Sequence, residues 1–142
     1  MSKNQKGPEE VQVYCDGGAR GNPGPGACAF VVIKDEKIVY QESKYLGKVT
    51  NNVAEYNGVI NALRWLQENN SYSLIQFYLD SQLVVNQLNG IYKIINDNLR
   101  ILRTTISGLE KGVHSELKYQ YIPRERNNLP DELLNEEIDE NL

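Results

Sequence analysis

Four acidic residues stand near the ends of predicted secondary-structure elements, where their side chains could meet at one site. They are Asp16, Glu55, Asp80 and Asp131. Oxygen ligands with no histidine or cysteine among them favour a hard cation such as Mg²⁺ or Mn²⁺. Two such ions about 4 Å apart can activate a water and stabilise the leaving oxygen in phosphodiester hydrolysis. The acids therefore indicate metal-dependent chemistry, provided that the fold gathers them.

Each acid also has a purely structural interpretation. Glu55 follows Asn52 by three residues and could complete a capping-box-like pair, and Asp80 could cap the helix after it. Asp131 could favour a helix N-terminus electrostatically. Acids in a first turn are common, so none of them identifies a site alone. Their combination favours a shared site, because ligands of an open sheet gather at the carboxyl ends of strands, where Asp16 and Asp80 are expected.

The segment Val11 to Phe30 positions the first acid. Every second residue from Val11 to Cys15 is apolar, which predicts a strand that ends on Asp16, with this acid on the opposite face. The glycines and prolines of residues 17–26 exclude a helix and permit positive φ. This stretch lacks the Gly-Lys-Ser/Thr of a P-loop and opens no helix. We expect a loop that turns a hairpin, and such a loop could also bind a ligand.

The other elements follow from hydrophobic periodicity. Strands are predicted over Ala27–Ile33, Ile38–Tyr45, Ile75–Leu79 and Glu116–Ile122. Helices are predicted from Asn52 to about Asn69, over Ser81–Leu88 and Asn96–Leu109, and from Pro130 onward. The order βββαβααβα predicts an α/β fold with a five-stranded mixed sheet, three antiparallel strands then two parallel ones, flanked by helices.

Composition limits the class of protein. The chain has 142 residues and a formal net charge of -4. That charge argues against broad sequence-independent coating of nucleic acid, and it leaves room for a nuclease with clustered acids. We expect a disordered N-terminus over residues 1–10 and one domain over residues 11–142 that ends in an acidic tail, Glu136 to Glu140. Cys15 and Cys28 are expected to be buried thiols.

The expected location is the cytosol. No apolar run approaches the roughly 18 residues that span a bilayer, and the first residues do not form a signal peptide. No membrane association is expected.

Four ordered motifs resemble those of type 1 ribonuclease H, also called ribonuclease HI. They are DGGARGNPGPG from Asp16, TNNVAEY from Thr50, LDSQLVVNQLNG from Leu79 and PRERNNLPDELLN from Pro123. The glycine-rich motif alone is a weak signal, whereas four motifs in the family's order, each with its acid, are highly specific. The resemblance covers residues 11–135 and implies a ribonuclease H-like fold.

The resemblance also implies an activity. Type 1 ribonucleases H cleave the RNA strand of RNA–DNA hybrids endonucleolytically, leaving 5'-phosphate and 3'-hydroxyl ends, with two divalent ions, expected here to be Mg²⁺ with Mn²⁺ as a substitute. By resemblance, Asp16 bridges both ions and Asp131 completes one of them. Glu55 and Asp80 hold the ion and the water on the attacking side. Because positioning and charge neutralisation lower the barrier, no protein nucleophile is needed.

Substrate contacts are implied in the same way. The glycine-rich backbone at Gly18 and the side chains of Asn22, Asn51 and Asn52 match residues that read RNA 2'-hydroxyls, which distinguish RNA from DNA. The two adjacent asparagines could equally cap a helix. Residues matching a pocket for a phosphate of the DNA strand are Thr50, Asn96 and Lys48.

The sequence departs from the family pattern in two places. Many members carry a histidine in the loop before the last acid, whereas His114 lies seventeen residues before Asp131 and is expected to be a surface residue. Arg124 or Glu125 could take its place. The basic protrusion of some bacterial members is reduced to residues 92–94, so weaker and more salt-sensitive hybrid binding is expected.

Three functions remain open from the sequence. Retention of all four acids favours the hybrid-specific nuclease, acting as a monomer with no obligate protein partner. A second possibility is a non-catalytic nucleic-acid-binding module on the same fold. A third is a metal-dependent nuclease of different specificity, for example for double-stranded RNA, because fold alone does not determine substrate.

Overall fold

A computed structural model describes residues 9–142, which form a five-stranded mixed sheet flanked by helices. The strands are β1 (Glu10–Ala19), β2 (Gly24–Lys34), β3 (Lys37–Val49), β4 (Leu74–Leu79) and β5 (Glu116–Tyr121). The helices are α1 (Asn51–Glu68), α2 (Gln82–Leu88), α3 (Asp97–Lys111) and α4 (Asn128–Glu140), with a single 3-10 turn at Arg124–Arg126. Among these described helices, none has the length and apolar character needed to cross a membrane.

The sheet has the order β3-β2-β1-β4-β5. The first three strands pair antiparallel, as expected for short turns between neighbours in sequence. β4 pairs parallel to β1, and β5 pairs parallel to β4, because helices return the chain between them. The predicted fold class is thus confirmed, and β1 is the central strand.

The two faces of the sheet are covered differently. On one face, Val11, Val13 and Cys15 of β1 are fully buried in the main core, which includes the apolar side of α1. On the other face, Ala27 and Ala29 of β2 form a smaller cluster with residues of α4. The alternation of apolar residues in β1 therefore sends the side chains between them toward the α4 side. Both cysteines are buried and free, as predicted.

The predicted glycine-rich loop is much shorter than residues 17–26. β1 continues through Asp16 to Ala19, and β2 already begins at Gly24, so the hairpin turn comprises only residues 20–23. Gly17 and Gly18 pair with residues of β2 instead of turning the chain. The prediction that Asp16 closes its strand was therefore wrong, since glycine within a strand can permit close packing as well as a turn.

Three helix starts also correct the sequence interpretation. Thr50 caps α1, so Glu55 is the fifth helical residue and no capping-box partner of Asn52. Ser81 caps α2, which excludes the capping role suggested for Asp80. α4 begins two residues before Pro130, and its final turns contain the predicted acidic tail.

The prediction of a disordered N-terminus falls largely outside the described residues. Residues 1–8 are not among them, and Glu10 already begins β1.

Candidate active site

Three of the four predicted acids converge beside the central strand. Side-chain oxygens of Asp16, Glu55 and Asp80 all lie within 4.8 Å of one another. They come from β1, the second turn of α1 and the residue directly after β4. Asp16 and Glu55 are each 8% exposed. Holding three carboxylates this close together, two of them buried, is unfavourable without a cation or protons.

Two glycines allow α1 to lie directly on β1 at this point. A Cβ atom on Gly17 would lie 2.2 Å from the backbone carbonyl carbon of Ala54, and one on Gly58 would lie 2.9 Å from the carbonyl oxygen of Asp16. Any side chain at either position would push the helix away from the strand. The close contact places Glu55 beside Asp16.

Burial dominates the electrostatics of the cluster. It raises the pKa of Asp16 to about 8, with further upward contributions from the charges of Asp80 and Asp131. Burial likewise raises the pKa of Glu55 to about 8, and the charges of Asp16 and Asp80 raise it further. The Arg124 guanidinium lowers both pKa values, and the backbone N–H of Gly17, which donates to Asp16 Oδ1 at 2.8 Å, lowers that of Asp16. A bound divalent cation would favour the ionised carboxylates far more strongly.

A cavity of about 550 Å³ opens at the cluster. All four predicted acids line it, including Asp131, although Asp131 is not part of the 4.8 Å cluster. Of the predicted substrate contacts, Gly18, Asn51 and Arg124 line the cavity. The others do not, namely Asn22, Asn52, Thr50, Asn96 and Lys48.

Asn22 and Asn51 form a short hydrogen-bonded chain at the hairpin. The Asn51 side-chain oxygen accepts from the backbone N–H of Ala19 at 2.9 Å, and the Asn22 side-chain oxygen accepts from the backbone N–H of Asn51 at 2.9 Å. Within residues 9–142, neither side-chain NH₂ group has an acceptor. Both asparagines are exposed, so each presents hydrogen-bond donors to solvent or to a ligand.

The remaining predicted contacts have mostly local roles. Thr50 Oγ1 and Asn96 Oδ1 accept from backbone N–H groups as the N-caps of α1 and α3. Asn52 is half-buried in the first turn of α1, and Lys48 is exposed on β3.

Of the two candidates for the place of the missing histidine, Arg124 lines the cavity and Glu125 does not. His114 is exposed between α3 and β5, as predicted.

Sequence reasoning missed a bridge between the hairpin and α4. Arg20 donates to Asp139 at 2.5 Å and to the backbone and side-chain oxygens of Asn135 at 3.2 Å. Asn135 in turn donates to the backbone and side-chain oxygens of Asp131, at 2.9 and 3.3 Å. The bridge supports the fourth acid. The only indication of this bridge in the sequence is an arginine in the glycine-rich motif. Local spacing could not indicate its partners, because they lie in a distant part of the sequence.

Asn127 was also missed. Its side chain is fully buried, and its NH₂ group donates to the backbone oxygen of Cys15 at 2.8 Å and to Asp80 Oδ2 at 2.9 Å. The only indication in the sequence that Asn127 belongs to the site is its position four residues before Asp131.

Fold and site together define the class of protein: an α/β domain with a carboxylate cluster that could hold a metal ion. The sequence model of the RNase H family matches residues 8–139. The chain belongs to the RNase H family, which is metal-dependent, and its acid cluster offers the oxygen ligands that such a metal requires.

Individual relatives agree with this assignment. The chain is 36% identical over 131 residues to ribonuclease HI of Halobacterium salinarum, covering 92% of this chain and 65% of the relative. It is 37% identical over 132 residues to a bifunctional protein of Mycobacterium tuberculosis, covering 92% of this chain. The match spans 36% of that relative, so the chain corresponds to about a third of its length.

Solved structures show the same fold. The crystal structure of LC11-RNase H1 in complex with an RNA/DNA hybrid superposes with a TM-score of 0.87 at 36% identity, covering 92% of this chain and 97% of that one. RNase H1 from Halobacterium salinarum superposes with a TM-score of 0.86, covering 92% and 98% of the two chains.

Proposed function

We propose that the protein hydrolyses the RNA strand of RNA–DNA hybrids endonucleolytically, leaving 5'-phosphate and 3'-hydroxyl ends. The observation that supports this most directly is the cluster of Asp16, Glu55 and Asp80, whose side-chain oxygens lie within 4.8 Å of one another in an open cavity. No nucleophilic side chain is required of such a site. The similar LC11-RNase H1, crystallised with an RNA/DNA hybrid, supports the choice of substrate.

The acids would hold two Mg²⁺ ions, with Mn²⁺ as a substitute. The donor set supports hard cations, because the cluster consists of carboxylates and Cys15 is buried in the core on the other face of β1. When bound, such ions activate a water and neutralise the charge that develops on the phosphate. In this proposal Asp16 would contribute to holding both ions, Glu55 and Asp80 would hold one of them together with the attacking water, and Asp131 would complete the other.

The hairpin and the start of α1 would read the RNA strand. Because the side-chain oxygens of Asn22 and Asn51 accept backbone hydrogen bonds, their NH₂ groups are oriented outward and can donate to 2'-hydroxyls. The backbone at Gly18 and the side chain of Asn52 complete this contact. A phosphate of the DNA strand would bind near Thr50, Asn96 and Lys48. Two neutral donors with a single cation suit a protein with a net charge of -4.

Arg124 would take the place of the missing loop histidine. It lines the cavity, and its charge lowers the pKa values of Asp16 and Glu55. The proposal includes a single catalytic domain over residues 11–142 that acts in the cytoplasm as a monomer, and salt-sensitive hybrid binding, since the basic protrusion is reduced.

The test is a gel assay with one end-labelled RNA strand, presented alone, paired with DNA and paired with RNA. Each substrate is incubated with Mg²⁺, Mn²⁺ or EDTA, and Asp80→Asn serves as the control for contaminating nucleases. We expect internal cuts in the hybrid alone, in either metal, with 5'-phosphate ends and no cuts in EDTA.

Two outcomes would contradict the proposal. Hybrid binding without cleavage would indicate a non-catalytic binding module. Cleavage of the RNA–RNA duplex at a similar rate would indicate a metal-dependent nuclease of broader specificity.

A further inference from the structure

Asn127 is placed where three of the four acid-bearing elements meet. It directly precedes α4, which carries Asp131 one helical turn later. Its side chain contacts the backbone of Cys15, the residue before Asp16, and the carboxylate of Asp80. One buried side chain thus connects β1, the end of β4 and the start of α4.

The orientation of this amide follows from its partners. Both the Cys15 carbonyl oxygen and Asp80 Oδ2 are acceptors, so the NH₂ group must be the one that faces them. The amide oxygen is then buried without a hydrogen-bond partner. No other buried side-chain nitrogen or oxygen atom of residues 9–142 lacks one. An unpartnered buried acceptor is costly, so this orientation favours the contacts of the NH₂ group over complete hydrogen bonding.

Asn127 also does not make the helix-capping hydrogen bond that its position favours. It occupies the N-cap position of α4, where asparagine is among the preferred residues, yet its side chain makes no capping hydrogen bond. The other three α-helices of the described chain are capped by the side chains of Thr50, Ser81 and Asn96. Loss of a local interaction beside a functional cluster is expected where the residue serves that cluster.

We infer that Asn127 is a positioning residue for the metal site, which orients the Asp80 carboxylate and holds the start of α4 against β1. The hydrogen bond that Asn127 donates to Asp80 Oδ2 leaves Oδ1 of Asp80 available to a cation. This inference rests on the proposed function, because it assigns a role within the same site. Partners that orient metal ligands typically contribute about 10- to 100-fold to metal affinity or activity.

The test compares Asn127→Leu with Asn128→Leu. Leucine has a similar branched shape and lacks both donors, and Asn128 is an exposed neighbour whose side chain donates to the backbone of Glu125. For Asn127→Leu we expect kcat and the affinity of the free enzyme for Mn²⁺, measured by calorimetry, each to fall about 10- to 100-fold. The KM for hybrid should stay within about 3-fold of wild type, since the amide is buried away from substrate. Asn128→Leu should match wild type in all three.

Wild-type protein labelled with ¹⁵N-asparagine gives a second test that does not depend on a variant folding. The NH₂ protons of Asn127 should exchange slowly with water, and their resonances should shift when Mg²⁺ is added. The NH₂ protons of Asn128 should exchange rapidly, and their resonances should not shift.

The possible failures can be separated. If Asn127→Leu retains wild-type kcat and Mn²⁺ affinity, Asn127 has no positioning role. The same conclusion holds if the NH₂ signals of Asn127 in wild-type protein do not shift although calorimetry shows that Mg²⁺ binds. If wild-type protein itself binds no Mn²⁺, the proposed function is wrong.

Discussion

The backbone of Gly17 in β1 lies against the backbone of Ala54 in α1, so closely that a Cβ atom on Gly17 would be 2.2 Å from the Ala54 carbonyl carbon. No shift of a flexible side chain could relieve that contact, because the opposing atoms are backbone. The next residue of the helix is Glu55, and the previous residue of the strand is Asp16. The distance between the two acids therefore depends on the absence of a side chain at Gly17.

Gly17→Ala should consequently disturb both stability and the site. Overpacking against a backbone is expected to lower the free energy of unfolding by about 1–3 kcal/mol, and displacement of α1 should reduce hydrolysis. Urea denaturation with metal present gives the stability, and the gel assay gives the activity.

Gly108→Ala is the matched control. It lies in α3, where a Cβ atom would meet nothing within 4 Å, so alanine should stabilise the helix by up to about 1 kcal/mol. Wild-type stability in Gly17→Ala would contradict the close contact.

Asp80→Asn should leave the fold intact and remove nearly all hydrolysis. The amide keeps an oxygen that can accept from Asn127, but it loses the charge that favours a divalent cation. Loss of several kcal/mol of charge stabilisation corresponds to a fall in kcat of more than about 100-fold. Asp35→Asn, at an exposed turn between β2 and β3, controls for the loss of one charge and should keep wild-type turnover. Turnover of Asp80→Asn near that of wild type would contradict the two-metal assignment.

The raised pKa values of Asp16 and Glu55 predict how the metal-free protein responds to pH. Between about pH 4, where these groups titrate in the unfolded chain, and about pH 8, the folded protein keeps protons that the unfolded chain releases. A protein that binds more protons when folded loses stability as pH rises. The contribution of these two groups to the free energy of unfolding in EDTA should therefore be greatest near pH 4 and fall toward pH 8.

Urea titrations at pH 5, 6, 7 and 8 measure this slope. Glu55→Gln removes one of the two groups and should flatten it, and Mg²⁺ added at pH 8 should restore stability by binding the folded state. A stability that rises from pH 5 to pH 8 in EDTA would show that the acids are ionised without a cation.

Arg124→Gln should make activity more sensitive to acid. Its charge lowers the pKa values of Asp16 and Glu55, so its removal raises them and makes the ionised site less available at low pH. The ratio of kcat/KM at pH 6 to that at pH 8 should fall by about 2- to 5-fold relative to wild type, as expected for one solvent-screened charge. Arg126→Gln removes an exposed charge two residues away that is not on the cavity and should leave this ratio unchanged. An equal effect of both variants would indicate general loss of positive charge.

Much of the fold was available from local pattern. The alternation in β1, the three- and four-residue spacing of α1 and the short apolar run of β4 are properties of neighbouring residues, and each predicted element is present. The acids could be found for a related reason, because each belongs to a motif that is continuous in sequence. The predicted ends of elements were less accurate. The start of α1, and with it the position of Glu55 in the helix, was hard to predict because several polar residues near Thr50 could equally have been the N-cap.

The sequence by itself determined the order of strands and helices and the resemblance to the RNase H family, and it predicted the four acids of the site. Only the tertiary structure decided how those acids are supported. Asn127 bonds to Cys15, 112 residues away, and Arg20 bonds to Asn135, 115 residues away. Gly17 acts as a contact point for α1, although its sequence context indicates a turn. Such contacts depend on how elements distant in sequence pack together, and the periodicity of neighbouring residues contains no information about that packing.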